Sequence, residues 1–146
     1  MRAISGDQLL GLRLRLRGVQ LGRPVELLLD RETLRAIGFD ILCRDGEHRF
    51  LPFPAARVGD EDLEIPSPLM LLEEDELDFY RSRALALSAL RERSVTWNGR
   101  ALGTLRDIVV TANGDVVDVV VDTGAELARI PFDASLELTP ESRSAA

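Results

Sequence analysis

Few side chains in this sequence are of types that do chemistry, and their spacing narrows what that chemistry could be. Cys43 closes an apolar stretch and His48 follows it across an Asp45-Gly46 turn. A thiol beside an imidazole is one route to an activated nucleophile. The context favours a plainer reading, a buried structural cysteine and an exposed turn histidine, because free cysteine packs as a small hydrophobe. One Cys and one His cannot complete a zinc tetrahedron without carboxylates. Asp60, Glu61, Asp62 and Glu64 are close enough in sequence to gather a hard cation. They lack the Asp-x-Asp-x-Asp-Gly spacing of a calcium loop and read as a solvated hairpin tip. The glycine pairs Gly18/Gly22 and Gly99/Gly103 resemble phosphate-binding turns only superficially. Such a turn must feed a helix N-terminus, and here a strand follows. The residues thus assign no catalytic group, no metal and no cofactor. All 18 basic residues are arginines, so Schiff-base chemistry and a phosphate-loop lysine are both excluded.

Binding is better represented. Arg13, Arg15 and Arg17 alternate with Leu12, Leu14 and Leu16, the period-two pattern of a half-buried strand with a charged outer row. Such a row guards a sheet edge, the favoured reading; the alternative is that it docks an acidic partner, or the acidic segment of this same chain. Residues 60–78 carry nine acids and no arginine, within a chain of net charge −7. That balance disfavours nucleic acid, whose binding rests on phosphate neutralisation. A protein partner is the expectation, and a homo-oligomer is compatible with it.

The elements that must position these groups are written twice. Gly18-Val-Gln-Leu-Gly22 returns as Gly99-Arg-Ala-Leu-Gly103. Val25–Asp30 aligns with Arg106–Thr111, Ile37–Leu42 with Val117–Asp122, and Leu51-Pro-Phe-Pro-Ala-Ala56 with Ile130-Pro-Phe-Asp-Ala-Ser135. A repeat that keeps order and turn positions is one structural unit used twice. Strands are expected at Leu12–Arg17, Val25–Asp30, Ala36–Cys43, up to Pro52 and near Leu63–Ile65. The second set is Arg93–Trp97, Leu105–Thr111, Asp115–Asp122, up to Pro131 and near Leu136–Leu138. Gly18, Gly22, Gly99, Gly103, Asn113 and Gly114 are read as turn residues, Asn-Gly being the strongest short hairpin signal. Between the repeats, Leu77, Tyr80, Ala84 and Leu87 share one helical face over Glu73–Arg91. That face is expected to pack between the repeats. Phe79 and Leu85 fall off it and are candidates for a second, partner-binding surface.

These elements resemble the PRC-barrel domain: the Gly-x-x-x-Gly opening, a strand ending in Asp, an aliphatic strand and a Pro-Phe before the last strand. This small β-barrel is shared by the reaction-centre H subunit of photosynthetic bacteria and the bacterial ribosome-maturation factor. The resemblance implies a mainly β protein of two tandem small antiparallel β-barrels joined by a helical connector. Its parts are a first repeat over 5–66, an acidic, partly helical linker over 67–91, a second repeat over 92–139 and a flexible tail over 140–146. It implies a docking function: a non-enzymatic adaptor or regulatory module on a larger assembly. The alternatives are a stand-alone ribosome-assembly-like factor contacting a ribosomal protein, and a small-ligand binder or enzyme using a cleft between the barrels. No stretch has the form of a signal peptide or reaches membrane-spanning length, so a cytoplasmic protein without membrane insertion is expected.

Overall fold

The computed structural model describes residues 3–138; the expected tail over 140–146 lies outside them. In chain order the elements are β1 (Ala3–Ser5), α1 (Gly6–Leu10), β2 (Arg13–Leu16), β3 (Val19–Leu29), β4 (Ala36–Cys43), β5 (His48–Pro52), β6 (Arg57–Val58) and β7 (Asp62–Glu64). They continue as α2 (Glu74–Arg83), β8 (Leu85–Ala86), α3 (Leu87–Leu90), β9 (Ser94–Trp97), β10 (Arg100–Thr111), β11 (Val116–Asp122), β12 (Leu127–Pro131) and β13 (Leu136–Leu138). The protein is mainly β, in two largely antiparallel sheets, one of them curled as a half-barrel. The first sheet has the order β5-β4-β3-β2-β7-β6 and the second β12-β11-β10-β9-β13.

The repeat is visible down to its irregularities. Arg17-Gly18 and Asn98-Gly99 make equivalent two-residue turns, with φ of 51° and 81° in the first and 48° and 81° in the second. Both residues of such a turn need positive φ, which matches the right-handed twist of the flanking strands. Three bulges recur at matching positions. Leu21 and Leu102 are extra in the first, Val25 and Arg106 in the second, Ile37 and Val117 in the third. Each bulge bends its strand and steepens the local twist. Gly22 and Gly103 follow the first bulge and so lie inside β3 and β10. Their assignment to turns is therefore corrected: both permit a close approach to the next strand. A Cβ on Gly22 would stand 2.4 Å from the Leu42 carbonyl oxygen, and one on Gly103 would stand 2.0 Å from that of Asp122. Gly18, Gly99, Asn113 and Gly114 do occupy turns, and Gly114 (φ 87°) also receives the Ala36 N–H on its carbonyl.

The long strands β3 and β10 are each shared. Their first halves pair with β2 and β9; their second halves receive a short strand from the segment that leads into the other repeat. β1 pairs with β10, Ile4 opposite Val110, while β8 pairs with β3, Leu85 opposite Leu29. Each short strand runs into a short helix, and a bulge-adjacent acid of the other repeat binds that helix's first turn. Asp107 accepts the Asp7 N–H at 3.1 Å, and Glu26 accepts the Ser88 N–H at 3.2 Å and its hydroxyl at 2.6 Å. Helix starts carry unsatisfied N–H groups. Ser5 caps α1 with its own side chain, whereas α3 has no such cap and depends on Glu26.

One core runs through both sheets. Leu9, Leu27, Leu29, Phe39, Phe53, Leu87, Leu90, Ile108, Val110 and Val119 belong to a single buried cluster. A second, smaller cluster gathers Leu28, Phe50, Leu77 and Ala84 on the outer face of the first sheet.

The helix expected over Glu73–Arg91 breaks in two. Ala84 turns extended (φ −104°, ψ 168°) and Leu85–Ala86 joins β3. Sheet pairing and burial of Leu85 win over the helical period there. The position of α2 is also corrected: it lies over β4 and β5 on the outer face of the first sheet, not between the repeats. Its acids Glu74, Asp75 and Glu76 sit in the first turn and Arg81 and Arg83 in the last, the arrangement that complements the helix dipole.

Candidate interaction site

The residues read from the sequence do not converge. Arg13 is exposed on β2, but Arg15 donates from Nε to the Asp62 carboxylate at 2.8 Å and from Nη1 to the Gly18 carbonyl. The first arginine of the row is open, the second is spent on the acidic segment of its own chain, and Arg17 sits in the turn rather than on the strand. Leu85 is buried at 8% exposure, held in β8 against β3, so it belongs to the core and presents no partner surface. Phe79 is 48% exposed, with the Arg83 guanidinium 3.9 Å from its ring centroid. Cys43 and His48 are parted by the pleat. Leu42 pairs with His48, so the His48 side chain lies on the outer face and the Cys43 side chain on the inner one. Cys43 lines a shallow groove of about 530 Å³ with Val19, Leu21, Arg44, Arg49 and Leu71. The Arg49 pKa is held above its ordinary value by the Asp45 carboxylate and then by Cys43. Among the described residues no three His, Cys, Asp or Glu side chains gather as a metal site. No helix there is long and apolar enough to cross a membrane.

A triad the sequence did not announce joins α2 to the sheet. Asp40 is the one charged residue buried among those described. Its carboxylate meets the His48 Nδ1 at 2.7 Å and accepts from Arg81 on α2. Above it, Tyr80 stacks on Phe50 with ring centroids 4.2 Å apart. Gly38 makes this possible, since a Cβ there would stand 2.3 Å from the Phe50 ring. Asp40→Asn turns an acceptor toward Arg81 into an amide that cannot hold the charge. Hydrogen bonds to charged groups contribute about 2 kcal/mol. The expected result is faster hydrogen exchange along α2 with the core amides of β3 and β10 little changed. Uniform loosening of the whole chain would show that the triad does not act as the clasp of this helix.

Among the described residues nothing covers the second repeat in this way, and there the geometry differs. Phe50 is matched by Arg129, Asp40 by Val120 and Gly38 by Asp118. Arg129 donates from Nε to the Asp118 carboxylate, and its side chain is 58% exposed. Leu127 on the same strand is 64% exposed. The backbone carries the sharper contrast. In an antiparallel pair, alternate residues turn their N–H and C=O outward. The Phe132 N–H donates to Val117, and the Thr123 N–H to Glu126. The alternation between them leaves Leu127, Arg129 and Pro131 facing away from β11. In the first repeat the equivalent outward groups of Phe50 are taken up: its N–H donates to the Leu72 carbonyl at 3.0 Å and its carbonyl accepts the Leu72 N–H at 2.8 Å. Those of Arg129 meet no group among the described residues. Among the described residues one edge of the repeated framework is thus closed and its counterpart is open. No signal in the sequence marks β12 as open, because a strand's own residues do not reveal whether a later segment of the chain will fold back to cover it.

No family model matches this chain, and no curated protein matches it in sequence.

Proposed function

We propose that the chain is a tandem PRC-barrel protein, two small antiparallel barrels with a helical connector, acting as a non-enzymatic interaction module on a larger protein assembly. The observation that carries this reading is the open edge of β12. An edge strand with unpaired N–H and C=O groups is a template for another chain unless something blunts it, and the same framework closes the equivalent edge with a segment of its own. The repeated strand order and equivalent turns support the barrel assignment. A ligand cleft between the repeats is the less favoured reading, because such a cleft would interrupt the apolar cluster that runs through both sheets.

Affinity capture with the tagged full-length protein from a lysate of its own source tests the proposal. The expected result is a protein retained at physiological salt and reproducibly enriched over a tag-only control. Failure to enrich any protein, under native conditions and after mild cross-linking, would count against the module reading.

A further inference from the structure

We infer that β12 is a strand-addition site for an extended peptide segment of a partner, running antiparallel to it, with a carboxylate opposite Arg129 and an apolar residue two positions earlier opposite Pro131. The inference rests on the interaction-module reading and specifies its site and ligand chemistry. Three observations carry it. The first repeat supplies a worked example: Leu72 adds to the Phe50 edge in the antiparallel sense, with two backbone hydrogen bonds. The second repeat offers the same two groups on Arg129, with Leu127 adding a further outward N–H and C=O.

Charge selects the side chain. Arg129 engages Asp118 through Nε alone; its terminal nitrogens donate to nothing among the described residues and suit an incoming carboxylate. Opposite charges directly across an antiparallel pair are favourable. Pro131 has no N–H to offer, so its neighbour on an added strand is held by packing. A pattern of apolar residue, any residue, carboxylate meets both demands, and the chain carries it just after the first repeat, in Leu72-Glu73-Glu74. A second copy pairing symmetrically about Arg129 would instead set two arginines face to face, and like charges directly opposite are destabilising.

The test uses the full chain and an acetylated, amidated peptide of its own residues 69–75, followed by amide chemical shifts. The expected result is saturable shifts at Leu127–Ile130. Replacing the peptide's Glu74 by Gln should weaken binding. The protein variant Arg129→Pro removes the outward N–H and the guanidinium with its bond to Asp118, and no backbone hydrogen bond within the sheet. It should weaken binding by at least about tenfold while Ala128 and Ile130 amides stay protected. Leu127→Pro does the same at the other outward donor, should Arg129→Pro not fold. No shift at β12 with about 1 mM peptide, or shifts confined to another surface, overturns the inference. So does self-association that Arg129→Pro abolishes, which gives the edge to a second copy. A partner captured equally by the wild type and Arg129→Pro sinks this site while leaving the module reading intact.

Discussion

Gly103→Ala is expected to lower stability by about 3 kcal/mol and to move the thermal midpoint accordingly. Two costs combine at this position. Its φ of 151° lies where a side chain is rarely accommodated, and a Cβ would stand 2.0 Å from the Asp122 carbonyl oxygen and 2.8 Å from its carbon. These are backbone atoms of the neighbouring strand, so no rotamer change can relieve the contact; β10 and β11 would have to separate. Gly22→Ala is the control. It faces the same approach, 2.4 Å from the Leu42 carbonyl oxygen, without the positive φ. Both variants should destabilise, Gly103→Ala more. Chemical denaturation of the two, compared by midpoint at equal slope, measures the difference. An unshifted midpoint for Gly103→Ala would refute the close approach of the two strands.

Phe39→Ala is the second large effect, expected at about 4 kcal/mol from the range for buried phenylalanines. Phe39 is fully buried and stacks on Phe53 with centroids 5.6 Å apart. Phe53 in turn lies 3.3 Å from where a Cβ on Gly114 would be, so the cavity opens where the first repeat meets a turn of the second. The diagnostic is cooperativity as much as magnitude. Because one apolar cluster runs through both sheets, loss in the first repeat should lower the unfolding of the whole chain as one transition. Near-ultraviolet dichroism at Trp97, which belongs to the second repeat, should track the same curve as the far-ultraviolet signal. A Trp97 transition unmoved by the substitution would show two independently folding halves.

Much of this fold is legible in the sequence because its signals are local. Alternation in Leu12–Arg17 marks β2, Asn98-Gly99 marks the β9–β10 hairpin, and the repeat aligns strands at matching places. What escapes notice depends on contacts between distant segments. Gly22 and Gly103 look like turn glycines, yet they lie within strands, because the approach that requires them comes from Leu42 and Asp122. The helical period through Leu87 continues past the true end of α2, since nothing local reveals that Leu85 will be claimed by β3. Asp40 and Arg81 stand far apart in the chain and meet only when α2 folds over the sheet. Two of the binding candidates, Arg15 and Leu85, are engaged or buried for the same reason. Whether Arg15 is free or Leu85 exposed is decided by the neighbours that folding supplies.

The reciprocal placement of β1 on β10 and of β8 on β3 has a topological consequence. Neither repeat holds within its own sequence all the strands of its own sheet, so each half completes the other. This is the connectivity of a domain-swapped two-fold dimer whose subunits have been fused into one polypeptide. Joining them converts an association that depends on concentration into an intramolecular one. It also frees the two copies to diverge, so that one edge is sealed by α2 and its lead-in while its twin is left available. Asymmetry of that kind is barred to a strict homodimer, in which every edge that opens must open twice.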